Sequence, residues 1–327
     1  MRQLAMGLLA LGVASFTPAL AREPELSSDA INKAEVSGKG ASKSKAALIK
    51  AEVLLDRTRF SPGLIDGSDG DNVKKAISAF QQRNGLKPSG RLDQDTWNKL
   101  KEASQDPVLT NYTITDEDVK GPFSENIPAK MEEQANLDRL GYTSPVELLA
   151  EKFHMSEALL KALNKGKNLD QAGTVITVAN VANVGEQRKA KASKLEVDKR
   201  RRELRALDKD GKLIATYPAS IGSKEKPAPS GTLKVTSVAK NPTYTYNPKY
   251  EFKGVKAKEK FTIKPGPNNP VGLVWIALTG EGYGIHGTPE PDKVGKTASH
   301  GCVRLTNWDA LELASMVDKG TPVEFRN

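Results

Sequence analysis

Cysteine is almost absent from this chain: its 327 residues include one, Cys302, together with three histidines. A single cysteine cannot form a disulfide within its own chain, which excludes a disulfide-stapled scaffold. The apolar run over residues 4–16 is too short to span a bilayer and no later stretch is long and apolar enough, so a membrane-spanning segment is not expected. RNP, zinc-finger and helix-turn-helix signatures are also missing, so nucleic acid is not an expected partner.

The N-terminus has the pattern of a cleaved signal peptide. Arg2 is followed by the apolar run over residues 4–16 and by Ala19-Leu20-Ala21, a small-residue cleavage site. We therefore predict that residues 1–21 are removed and that the protein acts beyond the inner membrane, in the periplasm or cell wall. The formal net charge of +9 suits an anionic surface such as a cell wall.

Two segments near the C-terminus concentrate the reactive side chains. They are Gly284-Ile285-His286-Gly287-Thr288 and Ser299-His300-Gly301-Cys302-Val303-Arg304-Leu305. A cysteine two residues after a histidine, with a second histidine upstream, is typical of a thiol nucleophile and its base. Pairing with histidine lowers the pKa of such a thiol from about 8.5. The glycines Gly287 and Gly301 would let a bound substrate approach the backbone closely.

Two other interpretations of His286, His300 and Cys302 are a zinc site and a structural coincidence. A structural zinc site needs four ligands and the chain has only one further histidine, so no metal is expected. The Asp-rich turn over residues 66–71 lacks EF-hand spacing, which excludes a calcium loop. Spacing does not decide which histidine is the base, because His300 shares a strand face with Cys302 but stands apart from it, whereas His286 comes from a separate segment.

The same two segments resemble the signature of the L,D-transpeptidases, a His-Gly-Thr-like segment followed by Ser/Thr-His-Gly-Cys. The resemblance covers residues 193–326, with residues 269–276 as the strand entering the family's site and residues 308–323 as its closing helix and last strand. It implies that His286 is the base, oriented through its other ring nitrogen by the carbonyl of Gly287.

The resemblance also implies roles for the residues around the nucleophile Cys302. It places His300, Gly301 and Cys302 around the oxyanion, with backbone N–H groups as donors. It gives Ser299 a role in supporting this loop. Arg304 would attract a substrate carboxylate by bidentate pairing, the alternative being a structural ion pair.

The reaction implied by the resemblance is acyl transfer on peptidoglycan without a cofactor. Cys302 attacks the carbonyl between the diamino acid and the terminal D-alanine of a tetrapeptide stem, in a pocket with Tyr283 in its wall. An amine of a second stem or of a lipoprotein then resolves the thioester. Water as acceptor would make the enzyme an L,D-carboxypeptidase or a cross-link hydrolase, and a non-catalytic wall-binding protein is the alternative from another class. Carbapenems are expected to acylate the same sulfur.

The rest of the sequence predicts a multidomain α+β chain. Residues 45–103, with apolar side chains at helical spacing, resemble a small three-helix peptidoglycan-binding domain. Residues 137–181, with a capping box at Ser144, resemble a small α/β LysM-like block without an obvious first strand, and His154 within it is expected to be exposed. Short alternating strands predict a mainly β catalytic domain, a sandwich closed by one helix, over residues 194–327. A flexible tether and two linkers complete the organisation, over residues 22–44, 104–136 and 182–193.

Overall fold

The computed structural model describes residues 26–36, 44–181, 190–223, 226–250, 255–299 and 301–327. The predicted signal peptide and His300 lie outside these ranges, as does most of the linker predicted over residues 182–193. Among the helices that the structure describes, none is long and apolar enough to cross a membrane. An α-rich region precedes residue 181, and a β-rich region follows residue 190.

The α-rich region begins with four helices, α1 (Ser28–Asn32), α2 (Lys45–Arg57), α3 (Asp71–Arg83) and α4 (Gln94–Ala103). Ser44 and Asp93 cap α2 and α4 by accepting hydrogen bonds from backbone N–H groups of the first turn. Apolar side chains recur along α3 at helical spacing and are buried, as Val73, Ala76, Ile77 and Phe80 show. The chain around α1 differs from the flexible tether predicted over residues 22–44, because Ile31 is fully buried in the core of this region.

Residues 109–179 form a second unit, which we name the accessory block. Its elements are β1 (Leu109–Thr113), α5 (Asp116–Lys120), α6 (Met131–Gln134), α7 (Pro145–Lys152), α8 (Glu157–Leu163) and β2 (Val175–Ala179). β1 pairs antiparallel with β2, with Tyr112 opposite Ile176. The sequence pattern does not indicate β1, which lies inside the linker predicted over residues 104–136. Glycan binding by the accessory block stays a prediction.

The four helices and the accessory block share one hydrophobic core. Leu55 and Trp97 of the helices belong to the same buried cluster as Leu149 and Ile176 of the accessory block. Apolar burial stabilises a fold by about 25 cal/mol per Å² removed from water, so a shared core couples the stability of its parts. The predicted linker thus connects parts of one packed unit.

The β-rich region contains β3 (Lys194–Asp198), β4 (Glu203–Leu207), β5 (Leu213–Pro218), β6 (Ser220–Ile221), β7 (Gly231–Lys240), β8 (Tyr244–Tyr246), β9 (Phe261–Ile263), β10 (Val274–Leu278), β11 (Gly284–His286), β12 (Val303–Arg304), α9 (Asn307–Met316) and β13 (Pro322–Arg326). Within the described residues, nine strands form one series in the order β5-β4-β3-β13-β7-β10-β11-β12-β6. β7 pairs with β13 through residues 231–234 and with β10 through residues 235–240. This long strand therefore connects β13 with β10 in the series, and β8 pairs separately with β9.

Helix α9 closes the β-rich region. Thr306 caps the helix by accepting a hydrogen bond from the Asp309 backbone N–H. The apolar side of α9, including Leu313 and Met316, is buried in the same cluster as Val274 and Ile276 of β10. The predicted mainly β domain with a closing helix is confirmed.

The opposite side of α9 meets the α-rich region through a buried polar cluster. The ring of His154 stacks on Trp308 with centroids 5.1 Å apart, and its Nδ1 lies 2.8 Å from Asp56 Oδ2. Ser61 Oγ donates a hydrogen bond of 3.0 Å to Asp309. His154 is only 8% exposed, so the prediction of an exposed helix residue is wrong. α7 has ended before His154, whose positive φ of 56° takes it out of the helical conformation.

Asp309→Asn is expected to flatten the pH dependence of the free energy of unfolding. Burial raises the pKa of Asp309 from its ordinary 3.8 to about 8, although hydrogen bonds with Ser61 and Thr306 act in the opposite direction. Between these two pKa values the folded state binds more protons than the unfolded state, so stability falls as pH rises through that window.

Chemical denaturation at a series of pH values from about 4 to 8 tests this expectation. The loss of stability with rising pH should be smaller in Asp309→Asn than in the unmodified protein. The control is Asp318→Asn, which changes a carboxyl group that is 70% exposed. Identical slopes for Asp309→Asn and the unmodified protein would contradict the prediction.

Candidate active site

His286 lies at the end of β11, between two neighbouring strands. It is opposite Trp275 of antiparallel β10 and opposite Arg304 of parallel β12. Its Nδ1 is 2.6 Å from the carbonyl oxygen of Gly287. A carbonyl oxygen only accepts hydrogen bonds, so Nδ1 bears the proton and the lone pair of Nε2 remains available. Trp275 stacks on the ring, with centroids 5.5 Å apart and an interplanar angle of 22°.

The electrostatic surroundings keep His286 uncharged. Its side chain is buried, and burial lowers the pKa of His286 to about 3. The positive charge of Arg304 lowers this pKa further, whereas the hydrogen bond with Gly287 acts in the opposite direction. At neutral pH the ring is therefore a neutral, oriented imidazole that can accept a proton.

Cys302 immediately precedes β12 and is a free thiol. Its Sγ donates a hydrogen bond of 3.5 Å to the carbonyl oxygen of Gly282. Burial raises the pKa of Cys302 to about 11, while the backbone of Gly284 and the charge of Arg304 lower it. The pKa of Cys302 is thus raised, whereas the sequence predicts a lowered pKa for a cysteine beside a histidine. The site thus contains a neutral thiol and a neutral imidazole at neutral pH.

The loop before Cys302 is held by Ser299, which is 2% exposed. Ser299 Oγ donates a hydrogen bond of 2.5 Å to the Cys302 carbonyl oxygen and accepts one of 2.7 Å from the Gly222 N–H. Gly301 has a φ of 101°, a conformation that glycine adopts far more readily than other residues. A Cβ on Gly301 would lie 3.8 Å from the ring of Tyr283, which places that ring beside the nucleophile loop.

Position 287 must be glycine because another side chain of the protein occupies the space where a Cβ would lie. A Cβ at this position would lie 2.3 Å from Asn307 Oδ1, well inside contact distance. The sequence predicts that Gly287 lets a substrate approach the backbone, but the group that lies against it in the structure is the side chain of Asn307 of α9. Motif reasoning missed Asn307, because its position is fixed only by the packing of α9 against the end of β11.

Arg304 extends from β12 into the same site. It is paired in register with His286, and its positive charge acts on the pKa values of both His286 and Cys302. Its Nε is buried and has no hydrogen-bond partner among the described residues. The carboxylate of Glu290 raises the pKa of Arg304, although burial has the larger effect and lowers it.

Tyr244 of β8 is a further residue of the site that the sequence did not indicate. Burial raises its pKa most, and the charges of Cys302 and Tyr246 raise it further, so Tyr244 lies within electrostatic range of the thiol. The signal was weak because β8 is only three residues long and has no motif. The structure thus brings together His286, Cys302, Arg304, Ser299, Gly301, Tyr283 and Tyr244, while His300 lies outside the described residues. Across the described part of the chain, no group of three or more potential metal ligands is found.

Comparisons with known proteins identify related families for two segments of the chain. Residues 192–325 match the model of the L,D-transpeptidase catalytic domain, and residues 44–100 match that of a peptidoglycan binding domain. YkuD of Bacillus licheniformis, named as an L,D-transpeptidase, is 32% identical over 182 residues, which cover 55% of this chain and 92% of that protein. YqjB of Bacillus subtilis, named likewise, is 35% identical over 133 residues, which cover 39% of this chain and 67% of YqjB.

Among solved structures, an L,D-transpeptidase from Mycobacterium smegmatis aligns with 23% identity and a TM-score of 0.33, over 41% of this chain and 58% of that one. The sequence relationships cover the segments that contain His286 and Cys302. The chain therefore belongs to the L,D-transpeptidase family of peptidoglycan acyltransferases.

Proposed function

We propose that this protein is an exported L,D-transpeptidase that uses Cys302 as its nucleophile. Sγ of Cys302 attacks the carbonyl between the diamino acid and the terminal D-alanine of a tetrapeptide stem. An S–C bond forms, the C–N bond breaks, and the thiol proton passes through His286 to the departing amine of D-alanine. The thioester is then resolved by an amine of a second stem or of a lipoprotein, which loses a proton through the same histidine.

The observation that supports this proposal most strongly is the contact of 2.6 Å between His286 Nδ1 and the Gly287 carbonyl oxygen. It fixes the tautomer whose Nε2 accepts a proton, and the low pKa of His286 leaves that nitrogen unprotonated at neutral pH. The neutral thiol of Cys302 supplies the proton. A pair that starts uncharged suits a buried site, because charge develops only when the substrate is present to be stabilised with it.

The surrounding residues have complementary roles in the proposed reaction. Backbone N–H groups at His300, Gly301 and Cys302 would stabilise the oxyanion, in a loop whose geometry Ser299 maintains. Arg304, with its buried Nε lacking a hydrogen-bond partner among the described residues, would attract a substrate carboxylate.

The N-terminal part of the chain supports a location at the cell wall. Residues 1–21 have a signal-peptide pattern, and residues 44–100 match a peptidoglycan binding domain. A formal net charge of +9 favours adhesion to an anionic polymer. We therefore place the mature protein in the periplasm or cell wall, bound to peptidoglycan glycan through its α-rich region.

Mass spectrometry of products made from purified tetrapeptide wall fragments tests this function and identifies the acyl acceptor. We expect release of D-alanine together with a dimer joined through two diamino acids, or with an adduct on the lysine of an added lipoprotein peptide. Release of D-alanine with only a shortened tripeptide stem would assign water as acceptor and make the protein a carboxypeptidase. Retention of all D-alanine, with continued binding to the wall, would show a non-catalytic wall-binding protein and overturn the proposal.

A further inference from the structure

A buried pair of side chains connects the accessory block to the active-site region. Glu151 of α7 is 8% exposed and Asn307, in the first turn of α9, is 1% exposed. Asn307 Nδ2 donates to the two carboxyl oxygens of Glu151, at 3.2 and 3.0 Å, and to the carbonyl oxygen of Pro267 at 3.2 Å. The accessory block, through Glu151, therefore provides acceptors for the Asn307 NH2 group. These hydrogen bonds fix the orientation of the amide and hence the direction of Oδ1.

That oxygen supports the backbone next to His286. Asn307 Oδ1 accepts a hydrogen bond of 3.1 Å from the Leu273 N–H. It also lies so close to Gly272 and Gly287 that a Cβ on either would be 2.1 or 2.3 Å away. Gly287 is the residue whose carbonyl oxygen holds Nδ1 of His286. Thus an unbroken series of contacts leads from Glu151 through Asn307 and Gly287 to His286.

We propose that Glu151 and Asn307 are positioning residues that hold the Gly287 carbonyl, and through it His286, in the reactive orientation. The proposal rests on the proposed function, in which His286 is the base. Without the Glu151 carboxyl group, the Asn307 amide loses two of its described contacts and can rotate away from Gly287. The accessory block then has a role in the chemistry in addition to any role in wall binding.

The chain offers a matched control on the same helix, one turn earlier. Glu147 Oε1 accepts a hydrogen bond of 2.8 Å from Asn268 Nδ2, which also donates to the carbonyl oxygen of Gly141. This second acid–amide pair joins the same two parts of the protein. Its described hydrogen bonds do not reach Gly287. Loss of Glu147 therefore weakens docking without releasing the support of His286.

The kinetic test measures acylation of Cys302 by a tetrapeptide stem in the full chain. Glu151→Ala is expected to lower kcat by about 10–100-fold with little change in KM, because misplacing a reacting group slows the chemical step. Glu151→Gln keeps a carbonyl acceptor for Asn307 and should return kcat to within about threefold of the unmodified protein. Glu147→Ala should retain nearly full kcat. Equal losses in Glu151→Ala and Glu147→Ala would show a docking role alone and would overturn the proposal.

A spectroscopic readout supplements the kinetics. Long-range nitrogen–proton NMR spectra of the histidine rings report which nitrogen of His286 bears the proton. We expect the Nδ1–H form to dominate in the unmodified protein and in Glu151→Gln, and to be mixed with the other tautomer in Glu151→Ala. If Glu151→Ala does not fold, Asn307→Leu provides the same test, because leucine keeps the approximate size of the side chain but can neither donate to Glu151 nor accept from the Leu273 N–H. An unchanged tautomer and an unchanged kcat in the folded variant would overturn the inference.

Failure of this inference differs from failure of the proposed function. If His286→Ala is inactive while Glu151→Ala has full activity, His286 remains the base and only the positioning role is lost. If the unmodified protein releases no D-alanine from the tetrapeptide stem, the proposed function itself fails, whatever the Glu151 variants do.

Discussion

Cys302→Ser is expected to abolish D-alanine release from a tetrapeptide stem while leaving the fold intact. A serine hydroxyl is far less acidic and less nucleophilic than a thiol, so it should not replace the sulfur as the attacking group. The described bonds that shape the loop use the Cys302 carbonyl oxygen, which accepts from Ser299. Because they do not use the sulfur, the variant should keep the circular dichroism spectrum and wall binding of the unmodified protein.

Intact-mass spectrometry after incubation with a carbapenem provides an independent measurement on the same variant. The unmodified protein should gain the mass of one β-lactam, since it contains one cysteine, and Cys302→Ser should gain none. Ser299→Ala keeps the sulfur but removes the hydrogen bond to the Cys302 carbonyl oxygen, so it should still form the adduct, more slowly. Undiminished D-alanine release by Cys302→Ser would show that another residue is the nucleophile.

The parts of the fold that follow from local pattern could be predicted from the sequence. Apolar spacing on α3 reflects one face of the helix turned toward a core. The alternation predicted for Leu213–Pro218 marks a strand, although five of its six residues are buried. Cap residues such as Ser144 and Ser156 begin α7 and α8 as expected. In each case the signal is contained within the element itself.

The features that were missed depend on distant partners. β1 has one fully buried residue, Leu109, so its alternation is weak, and it is a strand because β2 pairs with it. His154 lies just beyond the end of α7. It is buried because it contacts Asp56 and Trp308, which are remote from it in the sequence. No local sequence pattern predicts such contacts.

For the candidate site, the sequence indicates which residues react but not the state in which they rest. The motif identifies His286 and Cys302 as a candidate pair, yet a cysteine beside histidine suggests a lowered thiol pKa. The structure gives the opposite direction, because burial outweighs the effects of Arg304 and the Gly284 backbone. Burial is a tertiary property, as is the contact of Asn307 with Gly287, so neither can be derived from spacing.

His286→Ala is expected to lower the rate of Cys302 acylation by about 10²–10⁴-fold, the usual value of a general base. In the unmodified protein the pKa of His286 is about 3, well below the usual 6.5 of histidine. The imidazole should therefore remain unprotonated, and able to act as a base, at acidic pH. In the variant, hydroxide can form the thiolate instead, so part of the loss should be recovered as pH rises. Because the pKa of Cys302 is about 11, this recovery should continue toward strongly alkaline pH.

His300→Ala provides the contrast that separates the two histidines. Its proposed role is to shape the loop that presents oxyanion donors, and alkali cannot repair geometry, so its loss of rate should persist across the pH range. The measurement is the acylation rate of each variant against pH with a chromogenic β-lactam, after subtraction of the rate in Cys302→Ser, which reports hydrolysis by hydroxide alone. Circular dichroism at each pH limits the comparison to folded protein. If alkali restores His300→Ala but leaves His286→Ala unchanged, then His300 is the base and the roles proposed here are reversed.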